Sequence, residues 1–198
     1  MEMRYLKTNL VLASRSPRRS DILKQLGLQF ESRPSEVDEA EFDISIAPMD
    51  FVMNLAFRKA LKVSQSITEG IVVGADTIVV INGEILGKPQ SEKEAIEMLT
   101  RLSGKEHSVF TGLALLEVPS GRKSISFAET KVQFRSLERT EIEKYAATGE
   151  PLDKAGAYGI QGKGAILVEK INGCYYNVVG LPVAKLINML KEFGVSIG

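Results

Sequence analysis

A cluster of serines and arginines follows the first apolar run of the chain and could bind phosphate. Ser14, Arg18 and Arg19 belong to the segment SRSPRR, between a predicted strand and the first turn of a predicted helix. Backbone N–H groups and the helix dipole favour an anion there, and arginines add paired donors suited to phosphate oxygens. Arginine in a first helical turn is otherwise unfavourable. The segment therefore predicts a phosphate site, with a solvated basic turn as the alternative.

Two charged residues interrupt apolar patterns in which a charge is costly. Lys59 lies in the middle of the apolar stripe of a helix predicted over residues 48–65, and Asp76 interrupts a strand predicted over residues 71–81. An unpaired buried charge is expensive, so Lys59 is paired, reaches a cleft, or extends its ammonium to solvent at the edge of the core. Asp76 either bends its strand or serves as a base or magnesium ligand.

Three further features could contribute to such a site. Lys88 lies in a Gly-Lys-Pro turn, and the loop over residues 156–165 contains four glycines and the amide side chain of Gln161. Glycine permits close approach of a ligand, and glutamine can read a base edge with two hydrogen bonds. Asp38 and Glu39 are candidate second carboxylates. Each feature alone also fits an ordinary surface turn or solvated loop, but together they favour chemistry on a polyphosphate with a divalent metal.

Composition excludes several classes of protein. The 198 residues carry 25 Lys and Arg against 25 Asp and Glu, so the basic excess typical of nucleic-acid binders is missing and no nucleic-acid partner is expected. Cys174 and His107 are the single cysteine and histidine, which excludes an intrachain disulfide and a Cys/His zinc cluster. Neither is assigned a chemical role. The sequence contains no signal peptide and no long uncharged apolar run, which predicts a cytoplasmic protein without a membrane partner.

Strands and helices alternate along the chain, with several hairpins between them. This order predicts one α/β domain over residues 1–198, with a mixed sheet flanked by helices. Strands are predicted over 9–13, 71–81, 107–118, 123–135, 165–171 and 174–179. Helices are predicted from Ser16, as the capping residue, to Gly27, and over 48–65, 91–102, 137–148 and 182–193.

Several motifs, taken together, resemble the Maf family of nucleoside triphosphate pyrophosphatases. They occur in the order of the family and span nearly the whole chain. The motifs are LVLASRSPRR (10–19), EVDE (36–39), FRKA (57–60), GADTIVV (74–80), GKP (87–89), GEPLDKAGAYGIQG (149–162) and VVGLP (178–182).

The resemblance implies a fold related to inosine triphosphate pyrophosphatases, with two lobes around a deep cleft and a possible homodimer. It also implies hydrolysis of a nucleoside triphosphate to the monophosphate and pyrophosphate with a divalent cation, Mg²⁺ or Mn²⁺. The proton acceptor of the family falls on Asp76, and an acidic site residue falls on Glu39; both are the expected metal ligands. The phosphate-binding positions of the family fall on Ser14, Arg19, Lys59 and Lys88.

Three positions of the family are associated with the choice of base. They fall on Arg18, Thr77 and Gln161, a trio similar to that of the branch acting on dTTP and UTP. Two other functions remain open from the residues. One is a nucleotide-binding regulator of cell division without activity, and the other is nucleic-acid binding through the arginines, which the balanced charge disfavours.

Overall fold

A computed structural model describes residues 9–37 and 46–195 and gives the chain a mixed α/β fold. The strands are β1 (Leu10–Ala13), β2 (Glu31–Ser32), β3 (Gly70–Ile81), β4 (Glu84–Leu86), β5 (Glu106–Val118), β6 (Lys123–Phe134) and β7 (Val168–Asn172). The helices are α1 (Pro17–Gln25), α2 (Pro48–Ser64), α3 (Glu92–Leu102), α4 (Arg139–Ala146), α5 (Tyr175–Val179) and α6 (Val183–Glu192). Short 3₁₀ turns cover Glu150–Asp153, Ala155–Ala157 and Gly162–Leu167. Among the described helices, none has the length and apolarity needed to cross a membrane.

The seven described strands form one sheet, in the order β2-β1-β3-β5-β6-β7, with β4 paired to β3. Strand β1 runs parallel to β2 and β3, whereas β3, β5, β6 and β7 pair antiparallel. The prediction of a mixed sheet is therefore confirmed. Strands β3, β5 and β6 have 12, 13 and 12 residues, which is long enough to extend through both of the lobes described next.

The long strands divide the molecule into two lobes, each with its own buried core. In the first lobe α1 and α6 pack on the sheet around Leu12, Val73 and Leu186. In the second lobe α3 and α4 pack around Leu99 and Phe134. The middle of β3 lies between the two cores, with Ala75 packed in the first and Val79 in the second.

Helix α2 crosses the sheet at very close range because two glycines lie beneath it. A Cβ atom at Gly74 of β3 would overlap the backbone oxygen of Ala56, and one at Gly112 of β5 would overlap that of Val52. Only glycine permits such an approach of helix backbone to strand backbone. The approach brings the buried face of α2, including Lys59, down onto the middle of β3.

One predicted strand is wrong. The sequence pattern predicts an extended segment over 174–179, paired with its predecessor across Asn172 and Gly173, but Tyr175–Val179 is the short helix α5. The Oγ1 atom of Thr130 accepts from the backbone N–H of Cys174 and donates to its carbonyl, which ends the hairpin there. The strand before the turn also starts later than predicted, at Val168, because Gly162–Leu167 forms a 3₁₀ turn.

Replacement of Gly112 by alanine tests the close packing of α2. The added methyl must displace the helix backbone, so we expect the free energy of unfolding to fall by about 1–3 kcal/mol, measured by chemical denaturation. Gly87→Ala is the matched control, because a Cβ at Gly87 would meet no atom within 4 Å. Equal stability of the two variants would contradict a packing role for Gly112.

His107 lies at the start of β5 as a buried, neutral side chain. It is 3% exposed, its Nε2 atom lies 2.8 Å from the hydroxyl of Tyr158, and it packs edge-on against Phe134. Burial lowers the pKa of His107 to about 4, and the backbone of Lys105 opposes that shift only in part. His107, to which the sequence assigns no chemical role, is thus a core residue of β5.

The low pKa of His107 makes stability depend on pH. The unfolded chain, with a histidine pKa near 6.5, binds more protons than the folded protein between pH 6.5 and about 4. We therefore expect the free energy of unfolding to fall as pH drops through that window, by at most about 1.4 kcal/mol per pH unit from this group. In His107→Gln this contribution to the pH dependence of the free energy of unfolding should be absent. If both proteins show the same dependence on pH, His107 is not the group responsible.

Candidate active site

A cleft of about 1110 Å³ opens where β3 passes between the two lobes. The end of β1, the middle of β3, the start of α1, the β4 turn, the glycine-rich loop and α5 all contribute to its walls. Of the predicted site residues, those that line it are Ser14, Arg18, Arg19, Lys59, Asp76, Thr77, Lys88 and Gln161. Glu39 and Asp38 lie outside the described residues. The structure thus brings to one cleft every predicted site residue that it describes.

Lys59 and Asp76 form a buried ion pair at the base of the cleft. The Nζ atom of Lys59 donates to Oδ1 of Asp76 over 2.6 Å. The two residues are only 9% and 7% exposed, respectively. Because an isolated buried charge is costly, each group compensates the other. The interpretation of Lys59 as a solvent-seeking lysine at the edge of the core is therefore wrong, since its ammonium is buried and paired at the cleft.

The guanidinium of Arg19 connects three walls of the cleft. Its Nε atom donates to the carbonyl of Gly180 over 2.7 Å, and Nη1 donates to the carbonyl of Ala75 over 3.0 Å. Nη2 donates to the hydroxyl of Thr77 over 3.0 Å. These bonds hold a positive charge at a fixed place on the wall while fastening α1 to β3 and α5. Arg19 therefore has a structural role that the sequence did not reveal.

Ser14 organises the turn between β1 and α1. Its hydroxyl accepts from the backbone N–H of Ser16 over 3.1 Å and from Nη1 of Arg19 over 3.3 Å. Ser16 occupies the N-cap position of α1, as predicted, but its side chain makes no capping hydrogen bond. Ser14, which is 6% exposed, orders the turn instead. The N-terminus of α1 consequently faces the cleft with Pro17 in its first turn and two arginines behind it.

Arg18 is fixed by the 3₁₀ turn on the opposite wall. Its Nη1 atom lies 2.9 Å from Oδ2 of Asp153. Burial raises the pKa of Asp153, but hydrogen bonds from Lys154 and Arg18 outweigh this effect, and the pKa falls below its usual value. The carboxylate form is thus favoured, and it holds the Arg18 side chain across the mouth of the cleft.

Gln161 is exposed at the mouth of the cleft, on a loop that Glu150 organises. The carboxylate of Glu150 accepts from the backbone N–H groups of Lys163 and Gly164 and from the hydroxyl of Tyr145. Burial, and the nearby Glu150, raise the pKa of the Tyr145 hydroxyl, so it stays protonated and donates. Lys88 is likewise exposed and lines the cleft from the turn after β4.

Sequence reasoning missed the buried polar residues behind the cleft. Thr111 and Asn177 are both fully buried, and Thr111 lies opposite Thr77 in the register of β3 and β5. A threonine in the apolar run FTGLALL of β5 is the same kind of interruption that singled out Asp76, and it could have been found in that way. Asn177 was missed because residues 174–179 were predicted as a strand, and that prediction gave no sign that its side chain is buried.

Comparison with known proteins places the chain in a family. The description "Maf-like protein" belongs to the family profile that matches residues 9–193. The dTTP/UTP pyrophosphatase of Dictyoglomus thermophilum is 47% identical over 192 residues, covering 97% of this chain and 100% of that protein. The dTTP/UTP pyrophosphatase of Clostridium botulinum (strain Kyoto / Type A2) is 50% identical, covering 96% and 99%.

A solved structure supports the fold. The Staphylococcus aureus Ham1 protein superposes with a TM-score of 0.50 at 14% identity, covering 94% of this chain and 97% of its own. The fold expected from the motifs is therefore confirmed. With a profile match over residues 9–193 and relatives near 50% identity along almost their full lengths, the chain belongs to the Maf-like protein family.

Proposed function

We propose that this chain is a nucleoside triphosphate pyrophosphatase that hydrolyses dTTP and UTP to the monophosphate and pyrophosphate. The observation that carries the proposal is the buried Lys59–Asp76 pair at the base of a cleft lined by Arg18, Arg19 and Lys88. A carboxylate beneath several cations suits attack on a bound polyphosphate. The named activity of relatives about 50% identical over nearly the whole chain supports the same reaction.

In the proposed reaction, water attacks the α-phosphorus while the bond from that phosphorus to the bridging oxygen breaks. Asp76 accepts the proton of the water, and pyrophosphate leaves. Lys59 keeps the carboxylate in place through its 2.6 Å contact and adds positive charge at the base of the cleft. Ser14, Arg19 and Lys88 bind the phosphate groups and stabilise the charge on the departing pyrophosphate.

A divalent cation, Mg²⁺ or Mn²⁺, would be held by Asp76 and Glu39. Within residues 9–37 and 46–195, no group of three or more His, Cys, Asp or Glu side chains could hold a metal. The two carboxylates of Asp76 and Glu39 fit magnesium. Proteins commonly bind this ion with one or two carboxylates, while substrate phosphates and water complete the coordination. When bound, the cation supplies neutralisation of phosphate charge.

The choice of base is assigned to Arg18, Thr77 and Gln161. All three line the same cleft. Asp153 holds Arg18 and Arg19 holds Thr77, whereas Gln161 lies on the loop that Glu150 organises. The amide of Gln161 can donate and accept at a base edge, and Arg18 is held at the mouth of the cleft by Asp153. Fixed polar groups of this kind discriminate between bases better than mobile ones.

The non-enzymatic regulator is not favoured, because the relatives that match along their whole length are named as pyrophosphatases. A buried lysine–aspartate pair at the base of the cleft also has no evident use in a binding module. We propose that the full chain acts as one domain, and that it acts in the cytoplasm, where nucleoside triphosphates are made and used.

Pyrophosphate release with Mg²⁺ tests the function directly. Across dTTP, UTP, CTP, GTP, dATP, ITP and 7-methyl-GTP, we expect the highest kcat/KM for dTTP and UTP. Asp76→Asn should reduce kcat by about 10²-fold or more, because the proton acceptor is lost. Absence of pyrophosphate release from every nucleotide by the wild-type protein would refute the proposed function.

Two controls separate chemistry from folding in that test. The melting temperature of Asp76→Asn and its affinity for a non-hydrolysable UTP analogue show whether the cleft survives the loss of charge beside Lys59. Glu36→Gln is the matched carboxylate variant, since Glu36 also lines the cleft but is 80% exposed at its side chain and pairs with Arg15. It should retain activity; a loss equal to that of Asp76→Asn would remove the special role of Asp76.

We also propose a homodimer formed through the outer edge of β6. Residues 123–129 pair with β5 on one side, and no described segment pairs with their other side, because β7 begins its pairing at Lys131. An unpaired strand edge is a template for strand addition. Antiparallel pairing of two copies about Ser126 would place Lys123 opposite Glu129 of the second copy, and Ile125 opposite Phe127.

Charge reversal tests this interface by sedimentation velocity. The wild-type protein should be a dimer at micromolar concentration. Lys123→Glu or Glu129→Lys should each shift it towards monomer by placing like charges opposite each other, and the double variant should restore the dimer. A monomeric wild-type protein, or a double variant no more dimeric than the single ones, would refute this arrangement.

A further inference from the structure

The hydroxyl of Thr77, on the wall of the cleft, contacts the hydroxyl of a second threonine, Thr111, which solvent does not reach. Thr77 and Thr111 are directly opposed in the antiparallel register of β3 and β5, and their Oγ1 atoms lie 2.9 Å apart. Thr111 is fully buried. At this distance one hydroxyl donates a hydrogen bond to the other. The direction is decided by the second hydrogen bond that the Thr111 hydroxyl makes, on its side away from Thr77.

That next bond leads to Asn177, whose position is fixed on several sides. The Nδ2 atom of Asn177 donates to the carbonyl of Val109 over 2.9 Å and to Oγ1 of Thr130 over 3.0 Å. The backbone carbonyl of Asn177 lies 3.0 Å from Oγ1 of Thr111. A carbonyl oxygen can only accept, so the hydroxyl of Thr111 donates its single proton to Asn177.

The direction of the remaining bonds follows from that donation. Since the proton of Thr111 is committed to Asn177, the bond between the two threonines requires Thr77 to donate. The Nη2 atom of Arg19 donates to the same Thr77 oxygen over 3.0 Å. The hydroxyl of Thr77 has thus used its proton and one lone pair, and it offers the cleft only an acceptor.

We propose that Thr111 and Asn177 are positioning residues that fix Thr77 as an acceptor and thereby make the cleft prefer uracil and thymine to cytosine. The inference rests on the proposed function. In uridine and thymidine nucleotides the ring nitrogen at position 3 carries the single N–H donor of the base. In cytidine nucleotides that nitrogen carries a lone pair, which would face the lone pair of Thr77. A site built to receive a donor rejects a ligand that lacks it.

Thr111→Val is the informative variant because it keeps the shape of the side chain and removes the acceptor for the proton of Thr77. The proton then becomes able to turn towards the cleft and meet cytosine. We expect the preference for uridine over cytidine 5′-(α,β-imido)triphosphate, measured by calorimetry, to fall about tenfold or more. The ratio of kcat/KM for UTP and CTP should fall in parallel. Thr111→Ser, which retains the hydroxyl, should restore the preference.

Thr130→Val is the matched control for a structural effect. Thr130 is 1% exposed and belongs to the same network, but its hydroxyl contacts Asn177 and Cys174 and not Thr77. It should lower the melting temperature and leave the preference between the two analogues within about twofold. A folded Thr111→Val protein with the wild-type preference, or an equal loss of preference in Thr130→Val, would overturn the inference.

The wild-type protein separates failure of this inference from failure of the proposed function. A wild-type protein that binds both analogues equally overturns the inference even if it releases pyrophosphate from UTP. A wild-type protein that prefers the uridine analogue and releases no pyrophosphate refutes the proposed function, and the binding preference of the variants still decides the role of Thr111.

Discussion

The contact between Lys59 and Asp76 is the constraint that the rest of the structure serves. A buried ammonium and a buried carboxylate are tolerated only when they meet at short range, and here they lie on two different elements, the consecutive α2 and β3. Helix α2 must therefore lie almost on the backbone of the sheet, which is possible because Gly74 and Gly112 have no side chain. The apolar face of α2 holds this crossing in place, because Ala56 and Ala60 pack against β1, β3 and β5 and Leu55 packs against Ile78 of β3 and Phe110 of β5.

Around this contact, the polar groups of the cleft are fastened in a second layer of hydrogen bonds. Arg19 joins α1 to β3 and α5, Thr77 is backed by Thr111, and Gln161 lies on a loop held by Glu150. Side chains fixed in this way lose little freedom when a ligand binds. Contacts within the protein thus hold the polar groups of the cleft in the arrangement that the proposed polyphosphate substrate would meet.

The sequence predicted much of the fold and the cleft because those features break local rules. Asp76 in an apolar strand and Lys59 in an apolar helical stripe are costly, so both are conspicuous. The apolar run over residues 71–81 likewise predicted the long strand β3. Asn177 escaped notice because the six residues between Gly173 and Gly180 can be read as strand. In the structure they include the helix α5, from which Asn177 bonds to β5 and β6. Which atom donates within such a network depends on distances that no sequence pattern contains.

The 3₁₀ turn Glu150–Asp153 holds two separate parts of the cleft wall, and this has a consequence for ligand choice as well as for stability. Asp153 holds Arg18 on α1, and Glu150 holds the loop that carries Gln161. Arg18 and Gln161, which we propose contact the nucleotide base, are therefore both positioned by one segment of four residues. A single insertion or deletion in that segment would displace both side chains together, so under the proposed function the range of bases accepted by the cleft can change in evolution while Arg18 and Gln161 themselves stay the same.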